Sequence, residues 1–277
     1  MTFAPDLVLH NISRRQSEAF VKNPASGLIV HGIDGIGLQS YARAIARSLN
    51  SQPGGLLIVE GEDDKNISID QIRELYHQTR SKRDHTLTVI IDDADTLRVE
   101  AQNAFLKLLE EPPENVVFIM LTHAPQHLLP TISSRAATIE LRPISQQQST
   151  DIIRAAGIKD SAKSAQLLFL ASGRPALLNK LIQDSDFFDA QAEVIKQARS
   201  IVQGSTYQRL ISVKDAMNDR SQALRLVQAI GNIIAHGMRK GSTATPARQL
   251  NIVSETIEKL ETNGNVRLQL LSLALSL

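Results

Sequence analysis

Five short runs of aliphatic and β-branched residues mark the first half of the chain: LIVH at 28–31, LLIV at 56–59, TVIID at 88–92, VVFIML at 116–121 and ATIEL at 137–141. Continuous apolar runs of this length suit strands covered on both faces, because strict alternation appears only where one face meets water. Between most of them the period changes to that of a helix. From Leu38, apolar residues recur at Tyr41, Ala42, Ile45, Ala46 and Leu49, a stripe of 3.6-residue period. Ser68 and Gln71 have the spacing of a capping box at the head of IDQIRELYHQ. A further helix is predicted from about Val99 to Glu110, ended by Pro112-Pro113, since proline disfavours helical geometry in the residue before it. Strands alternating with helices predict an α/β fold on a mostly parallel five-stranded sheet over residues 1–143.

Beyond Pro143 the strand pattern stops. Ser145 and Gln148 repeat the capping-box spacing before a short helix ending near Gly157. SAKSAQLLFLAS and PALLNKLIQ predict two more helices, completing a small helical unit over 144–185. Residues 186–277 read as all-α. Ser221 is placed to cap a helix whose Ala223, Val227, Ile230 and Ile234 share one face, and Pro246 suits the first position of the next. TNGN at 262–265 breaks the chain before a last, amphipathic helix, VRLQLLSLALSL. No internal repeat or low-complexity tract is present.

A length of 277 residues accommodates two or three domains, and 42% hydrophobic with 21% charged residues is an ordinary soluble composition. The formal charge of +1 gives no general attraction to nucleic acid, so any DNA contact must be local or come through partners. The chain has no cysteine, which removes disulfides and thiolate metal sites. His123 and His127 lie close in sequence without further ligands nearby and read as surface residues, so no metal site is expected. The start, MTFAPDLVLHN, lacks the basic and long apolar regions of a signal peptide, and no run approaches the ~20 apolar residues that span a bilayer. A cytoplasmic protein without a membrane segment is expected.

Two stretches carry candidate chemistry. HGIDGIGLQS at 31–40 follows the first apolar run and opens a helix. Gly32 and Gly37 have the spacing of a phosphate-binding loop, G-x-x-x-x-G-K-[ST], and Gly35 adds conformational freedom. Such loops wrap phosphates with backbone amides at a helix N-terminus, where the helix dipole favours an anion. Lysine then supplies a point charge and the hydroxyl holds magnesium. Leu38 and Gln39 occupy those two positions and do neither job, so ATP and magnesium at this site are doubtful. Read without a ligand, the same residues make a glycine turn joining strand to helix. The second stretch is TVIIDDADTL, in which Asp92 stands where a Walker B acid would hold magnesium. Asp93 follows where a longer glutamate commonly polarises water, and it falls short by one methylene.

A third stretch, AQNAFLKLLEEPPENVVFIMLTHAPQHLLPTISSRAATIELRP at 101–143, is longer and more distinctive. It resembles clamp-loader subunits of the AAA+ superfamily, which carry N-A-L-L-K-x-L-E-E-P-P, a strand, a sensor threonine and S-R-C. Here Asn103, Leu106, Lys107, Leu109, Glu110, Glu111, Pro112, Pro113, Ser134 and Arg135 match, Phe105 replaces a leucine and Ala136 replaces the cysteine. SIDQIREL and LETNGNVRLQLLSLALSL are similar to further segments of that family.

The resemblance implies an AAA+ core over 1–143, a helical lid over 144–185 and an oligomerising helical collar over 186–277. The degenerate glycine loop fits the stator-like δ′ branch of bacterial DNA polymerase III clamp loaders, which is not expected to hydrolyse ATP by itself or to require a cofactor. It implies a heteropentamer with motor (gamma/tau) and delta subunits that places the sliding clamp on primer-template DNA. Arg135 would be an arginine finger acting in trans on the ATP of a neighbouring motor subunit. Thr122 falls at the sensor-1 position. Arg174 and Leu177 both lie near the sensor-2 position, which stays unassigned. Arg73, and less strongly Arg80, Lys82 and Arg83, are candidate DNA contacts. The zinc module that many bacterial relatives carry is not expected, given the short 50–66 region and the absence of cysteine. Two other readings stay open: a motor subunit with a deviant loop, and a non-replicative AAA+ scaffold.

Overall fold

The computed structural model describes residue 4 and residues 6–50, 54–61, 66–80, 84–238, 244–262 and 264–277. The chain divides into two compact units, Met1–Gln183 and Asp184–Leu277.

In the first unit the order is α1 (Asn11–Lys22), β1 (Gly27–Gly32), α2 (Leu38–Leu49), β2 (Leu56–Val59), α3 (Ile69–Thr79), β3 (Leu87–Ile91), α4 (Val99–Glu110), β4 (Val116–Thr122), α5 (Pro130–Ser133) and β5 (Ala137–Leu141). Three helices follow: α6 (Gln146–Ala155), α7 (Ser161–Ala171) and α8 (Pro175–Gln183). The predicted α/β fold is present, and all five strands pair in parallel in the order β2-β3-β4-β1-β5. Both faces are covered, which explains the unbroken apolar runs. Ile29, Phe118 and Met120 point to the side of α3 and α4, where they meet Ile72, Leu75, Phe105 and Leu108. Leu28, Val30, Ile119 and Leu121 point to the other side and pack with Tyr41 and Ile45 of α2 and Phe20 of α1.

Local chemistry sets the helix ends. Ser68 and Gln71 form the predicted capping box of α3, and Ser145 with Gln148 form that of α6. α4 has the predicted bounds, with Glu111 as its C-cap ahead of the proline pair. Gln102, buried within α4, is fully used. Its amide donates to the Leu97 and His127 carbonyls at 3.0 and 3.1 Å, and its oxygen accepts from the Leu129 N–H at 2.7 Å. That one side chain ties α4 to the segment leading into α5.

The second unit is all helical, with α9 (Ser185–Gln203), α10 (Thr206–Ser212), α11 (Arg220–Met238), α12 (Ala244–Glu261) and α13 (Val266–Ser276) around one apolar core. Three sequence expectations shift here. The cap of α11 is Asp219, whose carboxylate accepts from the Ser221 N–H at 2.8 Å, so Ser221 itself lies inside the helix. Pro246 sits in the first turn of α12 but not at its first position. α13 is apolar on both sides: Leu270, Leu273 and Ala274 are buried while Leu268 and Leu275 are each 63% exposed.

The Phe105 ring is fully buried and meets Phe118 edge-to-face, with centroids 5.3 Å apart. Phe105→Ala is expected to destabilise the first unit by roughly 3–5 kcal/mol through cavity formation. Phe105→Leu should lose much less, about the 0.5–1.5 kcal/mol of an aromatic pair and some packing. Urea unfolding read on the first unit's transition checks this, and equal losses for both variants would show that ring packing does not hold α4 to the sheet.

Candidate functional site

Because every strand runs the same way, the ends of β1, β3 and β4 deliver their following residues to one edge of the sheet. β1 hands over to α2 through residues 33–37. The turn needs its glycines: Gly35 and Gly37 have φ of 76° and 99°, where a side chain is strained. A Cβ on Gly32 would lie 2.8 Å from the Leu141 carbonyl oxygen. Gly37 is the N-cap of α2 and offers no side-chain cap. Leu38 then turns into the core shared with Tyr41 and Ile45, so the residue at the lysine position is a packing residue.

Gln39, one position on, points out and reaches across to β3, where its amide Nε2 donates to the Asp92 carboxylate. The other Asp92 oxygen accepts from the Asp93 N–H at 3.1 Å. Thr122, at the end of β4, donates its hydroxyl to Asp95 at 2.6 Å and accepts from the Ala124 N–H at 2.9 Å. The His123 Nδ1 lies 2.7 Å from the Gly32 carbonyl oxygen and joins the ends of β4 and β1. Gly32, Gly35, Gly37, Gln39, Asp92, Asp93 and Thr122 are thus brought to one edge, as their spacing predicted.

Asp93 adopts a left-handed φ of 45°. Burial first, then the neighbouring Asp92, Asp95 and Asp34 charges, push its carboxyl above the ordinary aspartate range, with His123 opposing.

The helices that follow the sheet close over the glycine loop. The Leu177 N–H of α8 donates to the Gly35 carbonyl at 3.0 Å. A Cβ placed on Gly35 would stand 2.9 Å from the Leu177 Cβ, and one on Gly37 would stand 3.2 Å from the Ala176 Cβ. Between the two candidate residues for sensor 2, it is Leu177 that packs on the loop. Arg174 donates instead to the Ala171 and Leu170 carbonyls, both at 2.9 Å, and so caps the end of α7. Burial lowers the pKa of Arg174, and the Asp34 carboxylate counters that shift.

Arg135 lies elsewhere. It follows α5, and the next residue, Ala136, packs beside Gly27 at the start of β1. The glycine loop begins at the far end of the same strand, about 16 Å away at ~3.3 Å per residue. The Arg135 guanidinium pairs with Glu110 at 2.9 Å and donates to the Thr131 carbonyl at 3.1 Å, on the surface. Arg73 is exposed and paired with Asp70 at 3.0 Å. Arg80 stacks over the Tyr76 ring, 4.0 Å from its centroid, while Lys82 and Arg83 lie outside the described residues.

Three partners were not foreseen from sequence: Gln39 as the donor to Asp92, Asp95 as the acceptor for Thr122, and the α8 backbone on Gly35. Only the first had a signal, an amide in place of a hydroxyl beside a lone Walker-type acid.

A raised Asp93 pKa means that stability present at acid pH is lost as pH rises through the folded-state value, above the ordinary 3.8. Asn tolerates the left-handed backbone and carries no charge. Asp93→Asn is therefore expected to gain stability at pH 7, by less than about 1 kcal/mol because the group is solvent-screened. The gain should shrink as pH falls toward 4 in thermal melts; an equal gain at both pH values would remove charge repulsion as its cause.

Residues 51–145 match the family model described as DNA polymerase III, delta subunit. The DNA polymerase III subunit delta′ of Bacillus subtilis is 31% identical over 145 residues, which cover 52% of this chain and 41% of that protein. The DNA polymerase III subunit tau of Escherichia coli is 28% identical over 233 residues, 75% of this chain and 34% of that protein. The chain thus spans less than half the length of either relative. A crystal structure of a DNA polymerase III gamma subunit-related protein from Thermotoga maritima shares the fold, with a TM-score of 0.54, 18% identity, and 96% and 98% of the two chains covered. Among the described residues no helix is long and apolar enough to cross a membrane. The likeness first visible in the 101–143 string therefore extends through the sheet, and this chain is a relative of the clamp-loader subunits of DNA polymerase III.

Proposed function

We propose that this chain is a δ′-type, non-hydrolysing subunit of the DNA polymerase III clamp loader, contributing Arg135 in trans to a neighbouring motor subunit. In that role it joins motor (gamma/tau) and delta subunits through its C-terminal helices and helps place the sliding clamp on primer-template DNA.

The observation that carries the proposal is the bond from Gln39 to Asp92. An amide nitrogen, a donor, stands where a magnesium ligand would have to accept, and it already occupies the acid that would share the ion. Ala176 and Leu177 lie against the glycines that would wrap the phosphates. The residues present do not fit a magnesium-bound triphosphate, and no step of the proposed function runs through a nucleotide at this loop.

The placement of Arg135 supports action in trans, since it sits at the opposite end of β1 from its own loop. Its pairing with Glu110 is a half-exposed surface bridge, worth about 0–1 kcal/mol. A γ-phosphate carrying several charges can displace that partner, and a rigid guanidinium then stabilises the transferring group.

A motor-subunit reading has one observation in its favour: the tau match covers more of this chain than the delta′ match, 75% against 52%. Nucleotide binding separates the two readings. Losing the lysine and magnesium contacts, each worth ~1.5–3 kcal/mol, should weaken ATP affinity on the order of 10² to 10⁴-fold against an intact loop. Equilibrium titration of the isolated chain with fluorescent ATP is expected to show no saturation below about 1 mM; micromolar binding would establish the motor reading instead. In a reconstituted loader with clamp and primed DNA, Arg135→Ala should lower ATP turnover about tenfold or more while the ring still assembles. Unchanged turnover would leave Arg135 out of the mechanism.

A further inference from the structure

At the other end of α2 from the glycine loop, roughly 14 Å away at ~1.5 Å per residue, an open cleft of about 190 Å³ lies against the edge strand β2. We propose that this cleft binds a phosphate group, using the paired guanidiniums of Arg43 and Arg47. Both line it, together with Asn50, Gly54 and Gly55, and no carboxylate does. Like charges four apart on a helix repel one another. Among the described residues neither arginine makes an ion pair or hydrogen bond, although Arg43 is half-buried. The dipole at the end of α2 accounts for a cation in the last turn, but not for two facing one cleft with no anion between them.

The rest of the lining suits an anion's approach. Gly54 has φ 82°, and no atom lies within 4 Å of where its Cβ would stand, so the backbone at the rim is open. Asn50 is anchored through its side-chain nitrogen to the Thr86 carbonyl at 2.8 Å, which fixes the end of α2 over the start of β3. No aromatic ring lines the cleft to stack on a base. Its volume falls short of the ~300–1,000 Å³ of small-molecule pockets. A single phosphate fits, gripped by the guanidinium forks; a nucleoside does not. The contact is therefore one that positions and carries no sequence information. With a net charge of only +1, the chain needs such a local site to hold an anionic backbone at all. The phosphate comes either from a nucleic-acid strand or from free phosphate, and the site does not depend on the clamp-loader function.

The test uses the full chain. Binding of a fluorescently labelled primer-template DNA is followed by anisotropy over a salt series, and inorganic phosphate binding by ³¹P NMR. Arg43→Gln with Arg47→Gln is expected to weaken DNA binding about tenfold or more at low salt and to flatten the log–log salt slope by about two, one per phosphate contact. Arg43→Lys with Arg47→Lys should keep most of the slope, which a merely structural role for the arginines would not predict. Loss of inorganic phosphate binding with DNA binding unchanged would support the site with free phosphate as its source. Should the glutamine pair fail to fold, Arg47→Gln alone, at an exposed position, should change the slope by about one. Wild-type protein binding neither DNA nor phosphate, or glutamine variants matching wild type in both, would overturn the proposal.

Discussion

A carboxylate at the end of a parallel strand needs a cation or a donor, since leaving it half-buried and unmatched costs free energy. Asp92 is that carboxylate, and the Gln39 amide is the donor that meets it. The rest of the nucleotide-type edge follows from this one bond. It ties the first turn of α2 to the end of β3 by side chains alone. Leu38 is then free to turn inward as core, and α8 rests directly on the glycine loop through the Leu177 N–H. The glycines are still required, because the left-handed turn at Gly35 and Gly37 is a property of the strand-to-helix connection whether or not a phosphate sits there.

How much of this was legible in the sequence depends on the range of the interaction involved. The strands, α4 with its proline stop, and the capping boxes at Ser68 and Ser145 rest on neighbours within a few residues, and they stand where the pattern put them. The α11 start did not, because Asp219 and Ser221 are both capping residues and only the backbone geometry selects between them. The apolar periodicity of α13 failed because leucines occur on both of its sides, which local pattern cannot assign to core or surface. At the site, residue spacing placed the glycines, Asp92 and Thr122 at one edge. The pairings of Gln39 with Asp92, 53 residues apart, and of Thr122 with Asp95, 27 apart, depend on the strand order. That order puts β4 between β3 and β1, and spacing alone does not encode it.

The same strand order separates two functions that sequence places side by side. Thr122 and Arg135 are 13 residues apart, yet β4 delivers the first to one end of the sheet and the return through α5 delivers the second to the other. A guanidinium at the N-terminal end of a parallel sheet cannot serve a loop at the C-terminal end of the same sheet, since the length of β1 lies between them. Under the proposed function, closing the chain's own loop and retaining Arg135 are therefore independent features. Gln39 and Leu177 fix the lid without touching the arginine, and Glu110 holds the arginine at the surface without touching the lid. A subunit built this way can lose its own nucleotide chemistry through two residues after the glycine loop and still present an intact opposite edge to a neighbour.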